Sequence, residues 1–421
     1  MKIHLAAAAL AALAPQLARA HTIYVGTCNP NANSLPTITQ AITAVGVNGT
    51  VDICPGTYAE QLTITKNVKM VGVNPGPSNS SLVLIVPPAA GLANNAPDLD
   101  GGSATAAQIA VQGATVSISN VTVDAAGNTV GANNGCGWDI VGIIYQNASG
   151  TVNNNVVRND YLAPFGSLGG CQGGLGIYVE TSAGNASNVV ITNNEVENYQ
   201  KNGITGNDSG TNVTIKGNTV LGMGPTDGAA ENSVQVAFGA TGSVTSNTVG
   251  DDIWAPDTFG DTGNAAAGIL IYASAGVKVS GNIVHSTQYG IAVVGDGNGD
   301  GDSATITTNT VSNTYLYDAI DICGAGSATV SGNTLNASDE AAIHLDSSCT
   351  GASTGNTGGS NKVDDACAAL LEGTGSGGSV TTTSNLNVAN LVLTGSDVCQ
   401  LSNNGARHQP RHARGHLRPF R

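Results

Sequence analysis

A short motif, Asn-x-Val or Asn-x-Leu, returns along this chain at nearly regular intervals. It stands at Asn194-Glu195-Val196, Asn218-Thr219-Val220, Asn247-Thr248-Val249, Asn282-Ile283-Val284, Asn309-Thr310-Val311, Asn333-Thr334-Leu335 and Asn361-Lys362-Val363, 24 to 35 residues apart. A short alternating run precedes each copy, such as Val213-Thr214-Ile215 or Val277-Lys278-Val279. A second strand-like run opening on Gly-Ile or Ala-Ile follows, as at Gly203-Ile204, Gly268-Ile269, Gly290-Ile291, Ala319-Ile320 and Ala342-Ile343. Period-two alternation broken by Gly, Asn, Ser and Asp specifies strands and leaves no competing helical pattern. A repeat of about 20-odd residues is one turn of a β-solenoid, whose apolar side chains are buried only by stacking on neighbours. The fold class is therefore all-β, a single parallel β-helix over residues 21–400. The recurring Asn fits a tight corner, because Asn tolerates left-handed backbone and stacked amides can bond along a ladder.

Composition agrees. The chain has 57 Gly in 421 residues, 4% aromatic and 10% charged residues. That suits many tight turns and small packed side chains. Formal net charge is −15. Two of the fourteen basic residues lie in residues 1–20 and five in 407–421, so the body carries seven against twenty-nine acids. Such a body repels nucleic acid and other polyanions unless a cation bridges them. Residues 1–20 read as a secretory signal: Lys2, an Ala/Leu-rich run from Leu5 to Leu13, and Ala18-Arg19-Ala20 as cleavage site. No later run is long and apolar enough to span a membrane. The expected setting is extracellular, and the expected state a monomer. The tail 401–421, rich in Arg and His, is expected to be disordered.

Eight cysteines without CxxC spacing point to disulfides in an oxidising compartment. Only neighbouring coils of a solenoid touch, so pairing is expected in chain order: Cys28–Cys54, Cys136–Cys171, Cys323–Cys349 and Cys367–Cys399. Asn-x-Ser/Thr sequons at Asn48, Asn79, Asn120, Asn147, Asn185, Asn207, Asn212 and Asn336 would be glycosylation sites in a eukaryotic source.

The repeats resemble those of the pectin-lyase-like superfamily over roughly residues 22–400. That resemblance implies a right-handed parallel β-helix. The opening segment, Leu35–Ile42, then Gly49–Ile64, then Val68–Gly72, looks like the first coils of pectin methylesterases and their relatives. It implies a short N-terminal capping helix over Thr37–Val45, which covers the strand edges of the end coil. The catalytic signatures of those relatives are missing. There is no Asp-Phe-Ile set as in pectin methylesterases, no Asn-Thr-Asp with Gly-His-Gly as in polygalacturonases, and no Trp-Ile-Asp-His as in pectate lyases. No active-site residue is carried over.

Stacking makes columns. Aligned on Gly-Ile, the residue after Ile should point outward in each coil: Ile144, Tyr178, Thr205, Gln235, Leu270, Ala292, Asp321, His344. Two further on come Gln146, Glu180, Asn207, Ala237, Tyr272, Val294, Cys323 and Asp346. Asp321, His344 and Asp346 thus gather on neighbouring coils, with Asp318, Asp339 and Glu340 on the turn before. Such a cluster suits general acid–base chemistry or a divalent metal. A second constellation is an insertion ridge at one corner, residues 124–141, 158–175, 221–232 and 250–267. It carries Trp138, Arg158, Tyr161 and Trp254, with Asp251 and Asp252 among its acids. With Tyr178, Tyr272 and Glu180 as a floor, aromatics beside carboxylates are what a sugar cleft requires. The plain alternative is that these loops only need aromatics as local cores. A third element, Asp296-Gly-Asn298-Gly-Asp300-Gly-Asp302, resembles the first half of a calcium loop. The sequence thus leads to a secreted β-helix that binds and cleaves extracellular polysaccharide through Glu180, Asp251, Asp252, Asp321, His344 and Asp346, with calcium as a candidate ion. The other reading is a non-catalytic cell-wall or carbohydrate-binding surface.

Overall fold

The structure is a computed structural model that describes residues 21–30, 32, 34–73, 82–99, 101–254, 264–298, 301–324, 327–346, 356–373, 385–386, 391–392 and 416–417. One coil illustrates the rest. Ser187–Thr192 runs along a first face and Glu195–Glu197 along a second. Asn202–Asn207 runs along a third, and Thr211–Lys216 returns to the first face one level up. Strands of the first face form a 14-stranded sheet, and those of the other two join in a 21-stranded sheet. Every pairing between these coils is parallel, so the chain is a parallel β-helix, as expected.

Each face sends a column of apolar side chains inward through successive coils, and the first and third faces send a second beside it. On the first it runs Met70, Ile118, Val152, Ile191, Ile215, Val244, Val279, Ile306, Val330. On the second it runs from Val123 through Val157, Val196 and Val220 to Leu335 and Val363. On the third it is the Ile of the Gly-Ile motif, from Ile109 and Ile143 to Ile320 and Ile343. These side chains are fully or almost fully buried in one continuous core. The Gly before each Ile has a steric cause. A Cβ on Gly203 would lie 2.7 Å from Ser233 O and collide with Val220. This third face is called the Gly-Ile face below.

The corner between first and second faces carries the asparagine ladder. Nδ2 of Asn194 donates to Oδ1 of Asn218 at 3.0 Å, Asn218 to Asn247 at 3.0 Å, and Asn247 to Asn282 at 3.0 Å. Asn282, Asn309 and Asn333 continue it to Asn361. The second Nδ2 hydrogen of Asn218 goes to Ile191 O, and its Oδ1 also accepts the Asn194 backbone N–H. One expectation needs correction. Left-handed backbone falls on the residue before each ladder Asn: Asn193 (φ 54°), Gly217 (φ 67°), Ser246 (φ 55°), Gly281 (φ 67°) and Thr308 (φ 58°). The turn there leaves the next amide free to point along the solenoid axis.

The cap helix forms at Ile38–Ala44, with Thr37 accepting from Gln40 N. Glu60 clamps its first turn, accepting from Ile38 N at 2.8 Å and Thr39 N at 2.9 Å. Ile38, Ala41 and Ile42 close the end of the core. Cys28–Cys54 and Cys136–Cys171 pair in chain order, and Cys323 is also disulfide-bonded. Cys349, Cys399 and the side chain of Cys367 lie outside the described residues, as do residues 1–20 and Asn79. Of the basic tail, His416–Leu417 is described and pairs with Asn264–Ala265. The Asn207 sequon is closed to modification in the fold, because that side chain is 1% exposed.

Candidate functional site

The outward columns of the Gly-Ile face fall as the repeat predicts. Ile144 pairs with Tyr178, Tyr178 with Thr205, and Thr205 with Gln235; at the other end Ala292, Asp321 and His344 follow in register. Gln112, Gln146 and Glu180 form the parallel column. These side chains point away from the barrel, yet they are not solvent-exposed. Glu180 is 1% exposed and His344 0%. Over the N-terminal coils the cause is a strap, residues 93–99, which no motif announces. Gln61 holds it through Ala93 N and O, and Asn95 bonds Ala107 O and N. Gln146 then donates to Pro97 O at 2.9 Å, and Leu99 N reaches Glu180 Oε2 at 3.5 Å.

Under this strap two hydrogen-bonded rows converge on Glu180. From one side Gln112 Nε2 donates to Gln146 Oε1 at 2.8 Å, and Gln146 Nε2 donates to Glu180 Oε1 at 2.6 Å. From the other side Asn232 donates to Asn202, Asn202 to Gln235, and Gln235 to Asn207 at 2.9 Å. Asn207 bonds Tyr178, whose OH donates to Glu180 Oε2 at 3.1 Å. The strap carbonyls fix the direction of the first row. They accept one hydrogen of each Gln amide and leave its oxygen for the preceding donor. Burial lifts Glu180 from 4.5 to about 7, against the pull of these donors, and nearby Asp98 adds to the lift. Asp139 is raised from 3.8 to about 7 by burial, with Asp98 adding again. Asp98 itself is half-buried and therefore borders solvent. Desolvated carboxyls beside an accessible one are an arrangement found where acid and base roles are divided.

The ridge exists as a continuous stack. The insertions at 124–141 and 158–175 are tied by Cys136–Cys171. Ala229 N donates to Gly169 O at 2.6 Å, and the Trp254 indole donates to Gly228 O at 2.9 Å. Its aromatics are held in packing, which departs from the sugar-stacking expectation. Trp138 lies against the small core of Leu92, Val130, Ile140 and Leu162. Tyr161 meets Phe165 edge-on, and Tyr272 meets Phe238 in the same way. Arg158 is ion-paired to Asp124 at 2.8 Å. Tyr178 is 4% exposed, beside Glu180. The loops need apolar contacts of their own, and these rings supply them.

Asp251 and Asp252 differ sharply. Asp251 is half-buried, in left-handed backbone at φ 59°. Asp252 is 0% exposed and accepts from Tyr199 OH at 2.7 Å and Ser233 Oγ at 2.5 Å. Glu231 lies alongside: a Cβ on Gly222 would collide with Glu231 Oε2 and stand 2.8 Å from Asp252 Oδ1. Burial raises both carboxyls well above their ordinary range, and each Coulombically opposes ionisation nearby. This is a sealed polar knot in the corner and not a cleft wall.

At the C-terminal end, His344 Nδ1 lies 3.0 Å from Asp318 Oδ2 and 3.8 Å from Asp321 Oδ1. Two overlapping groups, Asp318–Glu340–His344 and Asp321–His344–Asp346, each hold their donor atoms within 4.8 Å of one another. Nitrogen with several carboxylate oxygens is a donor set for a divalent cation. The other metal expectation fares differently. Asp296 spends its carboxylate on Asn298 N and Nδ2, and Asp302 Oδ2 accepts from Asp296 N at 3.3 Å. The turn satisfies itself; Asp300 lies outside the described residues.

The sequence matches the family model described as a right handed beta helix region over residues 103–299. The chain shares its fold with the GH136 lacto-N-biosidase of Eubacterium ramulus, at 11% identity over 90% of this chain and 69% of that one, TM-score 0.55. It shares it also with the catalytic domain of a GH87 α-1,3-glucanase solved with nigerose, at 12% identity over 88% and 68%, TM-score 0.51. No curated protein sequence matches the chain. At such identities the likeness is one of fold, and it places the chain among right-handed parallel β-helices.

Proposed function

We propose that this protein is a secreted, monomeric β-helix hydrolase that cleaves glycosidic bonds in extracellular polysaccharide, with Glu180 as its proton donor. The observation that carries the reading is Glu180 itself: a carboxyl held near half-protonation at neutral pH, on the outward side of the Gly-Ile face, beside half-buried Asp98. A carboxylic acid kept protonated near pH 7 can give its proton to the glycosidic oxygen as the C–O bond breaks. Asp98 takes the proton of the attacking water, whose oxygen bonds to the anomeric carbon as the leaving sugar departs with the proton of Glu180, and the step balances. Leu99 N, at 3.5 Å, makes a longer contact to Glu180 than Gln146 or Tyr178 does, so the strap holds this carboxyl loosely there. Neighbours of the same fold that act on carbohydrate support a carbohydrate substrate. Two disulfides are compatible with export.

A polysaccharide panel tests it, with calcium and with chelator, reading reducing ends and unsaturated uronate absorbance together. Wild type should release reducing ends, and Glu180→Gln should not. Release that survives Glu180→Gln would overturn the assignment. A second reading, a non-catalytic carbohydrate-binding surface, is favoured by the missing family signatures and by the packed tryptophans. Binding without release by the wild type would select it.

A further inference from the structure

We infer that the C-terminal coils hold one first-row divalent cation of the zinc class, bound by His344 with the carboxylates of Asp318 and Glu340. The cleavage scheme above uses none of these residues. Their donor atoms all lie within 4.8 Å of one another. They come from consecutive coils. Asp318 precedes the strand Ile320–Cys323, and Glu340 and His344 lie on Thr334–Asp346, which pairs with it. The backbone fixes Asp318, whose Oδ1 accepts from Ala341 N at 3.0 Å. Its Oδ2 then faces His344 Nδ1, also at 3.0 Å. That separation is close to the ~3.0–3.4 Å between neighbouring ligands of an ion with ~2.1 Å bonds. The strand register shifts between Ser338 and Ala341, the stretch that holds Glu340, and such irregularities re-aim side chains. Asp339 beside it is spent elsewhere, accepting from Leu316 N at 2.9 Å.

Charge balance points the same way. Asp318, Asp321, Glu340 and Asp346 gather at His344, and none of the five is more than 3% exposed. A protonated imidazole would offset one carboxylate of the four. No Lys or Arg stands between Lys278 and Lys362 in the chain. Lys278 lies on the 14-stranded sheet, and Lys362 pairs with Thr334, at the opposite end of the strand from Asp346. Buried carboxylates in excess of the bases around them are neutralised by protons or by a bound cation. The donor set selects the cation. Imidazole nitrogen suits zinc and its first-row neighbours, whereas calcium and magnesium take oxygen ligands. Asp321, whose Oδ1 is 3.8 Å from His344 Nδ1, and Asp346 form a second group around the ring. The closer approach of Asp318 makes it the ligand, and the other two add charge that deepens the hold. An ion there cross-links two coils, and its binding stabilises the folded chain.

The test uses the full-length protein, stripped with chelator and titrated with zinc, calcium or magnesium. Metal content and thermal melting are read together. The wild type should bind one more equivalent of zinc than His344→Gln or Glu340→Gln, and its melting temperature should rise with zinc but not with calcium or magnesium. Each of these two variants should lower zinc affinity at the site tenfold or more, and Asp321→Asn should lower it less. Zinc taken by His408, His412 and His416 of the tail is told apart because it survives in both variants. X-ray absorption of the wild type at one equivalent of zinc should show a single imidazole nitrogen among oxygen ligands, a readout that holds even where a variant fails to fold. Equal zinc uptake by the wild type and both variants overturns the inference. So does a shell with two or more imidazoles, with sulfur or with oxygen alone, or a larger loss from Asp321→Asn than from Glu340→Gln.

Discussion

The asparagine ladder and the Glu180 network are both buried rows of amides crossing successive coils, and they end differently. In the ladder each amide gives both hydrogens and accepts two bonds, and the row repeats without a titratable group. In the other row the donors converge on one carboxyl that burial has raised to about 7. A satisfied repeating row is a device for stability, since unmet buried polar groups are costly. In the second row burial favours the protonated acid while the donors pull toward the carboxylate, and burial wins.

The sharpest way to break this comparison is to remove the carboxyl while keeping its shape. Glu180→Gln should lower polysaccharide cleavage about 10²–10⁴-fold, the usual worth of a positioned general acid. Cleavage within twofold of wild type would mean the network is only a second ladder. Next comes the ladder itself. Asn218→Ala deletes bonds to Ile191 O, Asn247, and both Asn194 donors. It should cost about 3–5 kcal/mol in denaturant unfolding, with cleavage per folded molecule unchanged. An indistinguishable unfolding curve would refute the ladder's role.

A third contrast is in pH. An acid whose folded pKa is raised holds a proton that the unfolded chain sheds. The associated stability is full below pH ~4 and is lost as pH climbs toward the folded value of about 7. Glu180 contributes roughly 3 kcal/mol and Asp139 roughly 4 kcal/mol to that decline. Thermal scans should show the melting temperature falling from pH 4.5 to pH 8, and Glu180→Gln should flatten the slope. A wild-type melting temperature that rises over this window contradicts the shifts. The smallest effect concerns the turn before the ladder. Thr308 sits at φ 58°, where its neighbours use Gly281 and Gly332. Thr308→Gly should stabilise by about 1 kcal/mol, and a clear loss of stability would show that the Thr side chain matters more than its backbone strain.

Much of this architecture can be read from residue order. Asn-x-Val and Gly-Ile recur with the coil, so the inward columns, the ladder and the outward register of Tyr178, Glu180, Asp321 and His344 follow from counting. The strap over Glu180 does not. It has no period, and its only trace is the long interval between the strands Val83–Val86 and Ala104–Gln112. Asp98, which lies on that strap, carries no periodic signal for the same reason. Asp252 was misjudged because nothing local reveals that Tyr199 and Ser233, 53 and 19 residues away, will close over it. Trp138 and Trp254 were placed on the right ridge, but which way a loop side chain turns depends on neighbouring loops.

The sequence by itself determined the solenoid, since local alternation and a fixed repeat leave a stacked coil as the arrangement that buries every Val and Ile. It determined which residues share a column. The tertiary structure alone decided which of those columns meet water, because the strap and the corner insertions come from elsewhere in the chain. Their cover sets the dielectric around Glu180, Asp139 and Asp252, and it is that environment, not the residue type, that moves their protons.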